Sequence, residues 1–200
     1  MDKNLQNNEF YQKGLAALRK KNYDYAIELF SNILKNDSDN GEYRHQLWAA
    51  SRAKKNASAK SIVTLISDKI LFLFLGVQSS IFALGNKLNE ARQIQEKITF
   101  IFPASLSAFS RLAALYLREK KTGLAITAYE EMLLIEKRNK TALRSLARLY
   151  FMKKDFQKAR ITANTLLKVS AHDLEAENII KDIAALGLIE KGFDKITPAE

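Results

Sequence analysis

The 200-residue chain has no cysteine, which excludes a disulfide framework, a thiolate zinc site and a thiol nucleophile together. That composition suits a reducing compartment. Two prolines and seven glycines are too few for the frequent turns of a β-rich domain, so an all-α chain is expected. There are only two histidines, His45 and His172, and neither belongs to an HExxH pair. Both are expected at the surface or at helix caps. Neither GxxxxGK[ST] nor GxGxxG occurs, so no phosphate-cradling loop is encoded. The carboxylate pairs Glu130-Glu131, Glu175/Glu177 and Asp37/Asp39 are expected to be solvated charges on helix faces and turns. These absences argue against an enzyme, a metal site and a cofactor.

Long hydrophobic runs are also scarce. The N-terminal segment is polar and carries no apolar core of a secretory signal, so a cytoplasmic location is the expectation. The most apolar stretch, Ile62 to Leu84, is interrupted by Asp68 and Lys69. From Ile70 to Leu84 only 15 residues run uncharged, against the roughly 20 that a spanning helix requires. A buried helix is expected there, and no transmembrane span.

What is present is a repeat. Ala91, Ala125 and Ala159 recur at intervals of 34 residues, each inside an amphipathic helical pattern. Around them one spelling returns: Phe109-x2-Leu112-Ala113-x2-Tyr116 with Ala125-x3-Tyr129, then Leu143-x2-Leu146-Ala147-x2-Tyr150 with Ala159-x3-Ala163. Phe10-x2-Lys13-Gly14-x2-Ala17 with Ala26-x3-Phe30 is an earlier copy, in which Lys13 departs from the leucine. The pattern resembles the tetratricopeptide repeat, a helix-turn-helix unit of 34 residues. The resemblance implies a right-handed α-solenoid of antiparallel helix pairs.

On that frame, residues 1–190 form a single solenoid with units near 7–40, 41–71, 72–105, 106–139 and 140–173. The unit at 41–71 is degenerate, because Trp48 stands where the repeat wants a small packing residue. Pro103 closes the third unit. A capping helix is expected over 174–187, with an apolar stripe of Leu174, Ile179, Ile180, Ile183, Ala184 and Leu186 and a stop at Gly187, followed by a polar tail over 191–200.

Charge of one sign dominates. Lysine and arginine total 32 against 22 acidic residues, a net charge of +10. In the resembled family the first helix of each unit lines a concave groove that receives an extended segment of a partner. Arg111 and Arg118 in the fourth unit, with Arg144 and Arg148 in the fifth, lie off the core positions of those helices. Guanidinium forks bind carboxylates bidentately, so these four are the candidate peptide-binding residues. The expected partner is another protein, offering an acidic or extended segment to a non-enzymatic scaffold. A nucleic-acid ligand is the rival that the sequence pI of 9.7 motivates. A membrane-peripheral assembly factor is a third reading, resting on the apolar Phe72-Leu73-Phe74-Leu75. Some members of the resembled family clamp chaperone tails with asparagine on these first helices. Leu15, Ala114 and Arg148 stand at those positions here, so such a tail is not the expected ligand.

Overall fold

The three alanines in 34-residue register, Ala91, Ala125 and Ala159, and their earlier counterpart Ala26 are wholly inaccessible to solvent. A methyl group is the largest side chain that lets two helix backbones approach closely at such a point. The first hairpin shows how tight the approach is: a Cβ added to Gly14 would lie 2.6 Å from the Phe30 ring.

The computed structural model describes residues 3–57 and 62–193. In chain order its helices are α1 (Lys3–Arg19), α2 (Tyr23–Asn36), α3 (Gly41–Ala57), α4 (Ile62–Leu84), α5 (Leu88–Ile101), α6 (Leu106–Arg118), α7 (Thr122–Ile135), α8 (Lys140–Met152), α9 (Phe156–Val169) and α10 (Leu174–Phe193). The described residues contain no strand. Two compact units divide the chain, Met1–Glu131 and Met132–Glu200.

Hairpins α1/α2, α4/α5, α6/α7 and α8/α9 turn by one device. Lys21, Asn86, Lys120 and Lys154 each take left-handed φ, between 57° and 61°. The following N–H then donates back to a carbonyl five residues earlier: Asn22 to Ala17, Lys87 to Phe82, Lys121 to Tyr116 and Asp155 to Tyr150, at 2.8–2.9 Å. This satisfies carbonyls that the end of a helix leaves without partners. Side-chain oxygens of Asn22, Ser105, Asn139 and Asp155 cap the N-termini of α2, α6, α8 and α9.

In the first unit the regular pattern breaks at α3 and α4. No turn separates residues 41–71 from 72–105, because α4 is one helix of 23 residues running through that boundary. No proline, and no glycine before Gly76, interrupts it. The chain leaves α3 without a hairpin partner of its own, and α3 packs against α2 and α5. Trp48 anchors α3 against α5 and α6. Where the repeat would set a small residue, its indole is 2% exposed, stands edge-on to Phe109 of α6 at 4.9 Å, and donates Nε1–H to Thr99 Oγ1 of α5 at 3.2 Å.

The expectation that the apolar stretch would be buried fails on one face. Leu75 and Ser79 of α4 are buried against α5, whereas Ile70, Leu73, Phe74, Val77, Ile81 and Leu84 face solvent. Since α3 runs along α2 and α5, nothing among the described residues covers that outer face.

In the second unit α8 buries Ala142, Leu143, Leu146, Ala147, Leu149 and Tyr150, and α9 buries Ala159, Ala163 and Leu166. The terminal helix α10 packs on α9 through Ala176 and Ile179, while Leu174, Ala184 and Leu186 of the expected stripe are exposed. It also passes Gly187 and runs to Phe193, since one glycine inside a helix costs only about 1 kcal/mol. Residues 191–193 of the expected tail are therefore helical, and 194–200 lie outside the described residues.

Candidate functional site: a groove between α4 and α6

Helix α6 turns two faces in two directions. Leu112, Ala113, Leu115 and Tyr116 are buried, and Arg111, Ala114 and Arg118 are exposed at three- and four-residue spacing along one side. That side faces α4. Arg111, Ala114, Leu115 and Arg118 line a shallow cavity of about 170 Å³ with Ser79, Ser80 and Ala83 of α4 and Gln95 of α5.

Both guanidinium groups lie against α4, and its backbone holds one of them. Arg118 donates Nη2–H at 3.1 Å to the Ala83 carbonyl in the last turn of α4, which also accepts the Asn86 N–H at 3.3 Å. Arg111 lies against Gly76, close enough that an added Cβ there would stand 3.0 Å from Nη1. Neither arginine has a carboxylate partner among the described residues.

Gln95 completes the groove and was not among the residues expected from sequence. Its side chain is 1% exposed, its Nε2 donates to the Ala108 carbonyl at 2.9 Å, and its Oε1 has no partner. A buried amide oxygen without a donor costs about 1–3 kcal/mol. A signal for Gln95 was present: it stands four residues after Ala91, where Phe30, Tyr129 and Ala163 follow the other repeat alanines.

Arg144 and Arg148 are placed differently, on α8 of the second unit. Arg144 donates Nε–H to Asp173 at 3.2 Å and also engages it through Nη2, while Arg148 donates to Glu175. Asp173 additionally accepts from the Ala176 N–H at 3.2 Å as the cap of α10. The Arg144 hydrogen bond holds the Asp173 carboxyl below its usual range. Within this unit both guanidinium groups thus meet carboxylates supplied one repeat later, and Glu175 is an ion-pair partner rather than a solvated charge.

A second polar centre lies in the first unit and overturns two expectations. Glu131, expected to be solvated, is fully buried, and its carboxylate is shared by His45 and Arg52 of α3. His45 is accordingly an ion-pair partner of α7, neither a free surface residue nor a cap. Its hydrogen bond to Glu131 raises the imidazole pKa against the opposing effect of burial. The protonated ring therefore favours the folded state: this contribution is complete below pH about 6.5 and is lost as pH rises through the raised folded value. Denaturant midpoints are expected to fall as pH increases from 6 towards 9, with the slope reduced in His45→Asn. Equal slopes in the two proteins would show that His45 does not titrate against Glu131.

No family model matches the sequence, and no curated protein matches it either. Solved structures do. The P58(IPK) TPR domain aligns with a TM-score of 0.59 at 12% identity, covering 96% of this chain and 68% of that one. The first TPR of Spaghetti (RPAP3), bound to the HSP90 peptide SRMEEVD, aligns at 0.51 and 18% identity over 57% of this chain and 91% of that one. The Arabidopsis OM64 TPR domain aligns at 0.52 and 14% identity, covering 59% and 98%. The chain has the tetratricopeptide-repeat fold.

Proposed function

We propose that this tetratricopeptide-repeat protein is a non-enzymatic scaffold that holds an extended, acidic segment of another protein, with the groove between α4 and α6 as its primary contact. The observation that carries the reading is the pair of exposed guanidinium groups lining that groove, neither with a carboxylate partner among the described residues. Carboxylate side chains answer them, and an extended acidic peptide offers such groups in series. Acidic peptides also occupy two solved relatives of the fold, SRMEEVD on the first TPR of RPAP3 and SGPTIEEVD on the second. Acidity is what is carried over. The chaperone tail itself is not, because Leu15, Ala114 and Arg148 replace the asparagines of that clamp.

Arg144 and Arg148 extend the reading to the second unit with a condition attached. An acidic ligand there must displace Asp173 and Glu175 from them, so these arginines contribute less to affinity than Arg111 and Arg118.

The test is titration of a fluorescent acidic peptide library against wild type, Arg111→Gln/Arg118→Gln and Arg144→Gln/Arg148→Gln. Each charge-assisted hydrogen bond is worth roughly 1.5–3 kcal/mol, so the first pair of substitutions is expected to weaken selected peptides about a hundredfold. The second pair should weaken them less. Equal binding by wild type and Arg111→Gln/Arg118→Gln removes the proposal. Preference for nucleic acid over every peptide, with affinity falling steeply in salt and indifferent to base sequence, would replace it with the rival.

A further inference from the structure

The outer face of α4 is a feature that the groove leaves unexplained. Ile70, Leu73, Phe74, Val77, Ile81 and Leu84 are 64%, 66%, 65%, 59%, 63% and 88% exposed, and their spacing of three, four and seven residues places them along one side of the helix. Single exposed apolar residues need no explanation, but a contiguous stripe of this length does. The stripe has no charge of its own: between Lys69 and Lys87 every residue is neutral, and no acidic residue occurs from Lys69 to Asn89.

Three kinds of occupant suit an apolar helix face, and charge chooses among them. A second copy of this chain would bring together two stripes that both end in lysine. Parallel pairing would set Lys69 by Lys69 and Lys87 by Lys87, and antiparallel pairing would set Lys69 by Lys87. Like charges would meet at both ends in either case, between molecules that each carry +10. An anionic lipid surface reverses the sign of every one of those contacts. It takes apolar side chains below the headgroups while lysine ammonium groups at both ends reach the phosphates.

A spanning helix is the remaining possibility, since Ser67–Leu84 is 18 residues long and apolar enough to cross a membrane. Its inner face argues against that. Leu75 packs with Ile98 and Ala108, the Phe72 ring stands edge-on to Phe102 at 5.2 Å, and Ser79 donates to the Ala91 carbonyl at 3.0 Å. Spanning would break all of these contacts, whereas lying in the surface keeps them.

We propose that the exposed stripe of α4 from Ile70 to Leu84, closed at its ends by Lys69 and Lys87, docks this protein on an anionic lipid membrane with α4 parallel to the surface. The docking face is distinct from the arginine groove on the neighbouring side of the same helix. Arg111→Gln/Arg118→Gln should therefore lose peptide binding without losing the membrane.

Co-sedimentation of the full chain with vesicles tests it, using phosphatidylcholine alone and phosphatidylcholine mixed with phosphatidylserine. Wild type is expected to sediment with the anionic vesicles at least tenfold more than with neutral ones. Leu73→Gln/Phe74→Gln should lower the bound fraction at least tenfold, and both side chains project outward, so its circular dichroism spectrum should match wild type. Lys69→Glu/Lys87→Glu should abolish the preference for anionic vesicles. Ile161→Gln, an exposed apolar residue on α9, should bind as wild type does. Three results would each overturn the proposal: no sedimentation with anionic vesicles, an equal loss in Ile161→Gln, or a vesicle-free dimer that Leu73→Gln/Phe74→Gln dissociates. Association that resists carbonate extraction would also overturn it, and would assign α4 as a spanning helix.

Discussion

Replacing Trp48 with alanine is expected to remove about 3–5 kcal/mol of folding free energy, the usual range for emptying a large buried aromatic site. The indole is almost fully buried, touches Phe109 edge-on, and satisfies its only polar atom on Thr99. Alanine would leave a cavity bounded by α3, α5 and α6, and those helices are too constrained by their other neighbours to close it. Trp48→Phe keeps most of the ring and forfeits the hydrogen bond, so it should cost distinctly less. Urea unfolding followed by far-ultraviolet circular dichroism measures both, since the substitutions remove the chain's single tryptophan fluorophore. A loss below about 1 kcal/mol for the alanine variant would mean that α3 is not anchored through this residue.

Glu131→Ala should be comparably damaging, by about 3–5 kcal/mol, because it strands the Arg52 and His45 cations beside a buried site with no anion. The informative comparison is with removing charge from both sides. Arg52→Met combined with Glu131→Leu replaces the pair by apolar groups of similar volume, and such replacements are often neutral or stabilising. The double variant is therefore expected to recover most of the loss. If it unfolds as readily as Glu131→Ala, the carboxylate serves some purpose beyond pairing with α3. Together, Trp48 and Glu131 make α3 the element on which the first unit depends, one through apolar packing and the other through a buried ion pair.

Much of the architecture is legible in the sequence, and particular residues explain why. The alanines at 34-residue intervals are the fully buried crossing points, and helix α5 stops at Ile101, just ahead of Pro103. These are local signals, in which a residue's identity and its distance along the chain suffice. The boundary at 71/72 misled for a complementary reason. A shortened unit over 41–71 fits the interval arithmetically, but nothing in the residues between Ile62 and Gly76 breaks a helix, and the chain stays helical throughout.

The candidate site was legible in part. The exposure of Arg111 and Arg118 followed from their positions opposite the apolar stripe of α6. Gln95 was visible only as an anomaly in register, a polar residue where the other repeats carry Phe30, Tyr129 and Ala163. The pairing of Arg144 and Arg148 with Asp173 and Glu175 was not foreseen, although the acidic residues lie one repeat downstream on the next first helix.

By itself, then, the sequence determined the helical repeat, the close-packing alanines and the basic excess, because helix period and residue size act over a few positions and recur. Only the tertiary structure decided where α3 docks, that Glu131 is buried between His45 and Arg52, and that one face of α4 is left bare. The burial of Glu131 rests on contacts between residues 79 and 86 positions apart. Whether a carboxylate so placed is solvated or sealed depends on which helix arrives beside it, and that choice is made by the balance of packing and desolvation across the whole unit rather than by any pattern within one helix.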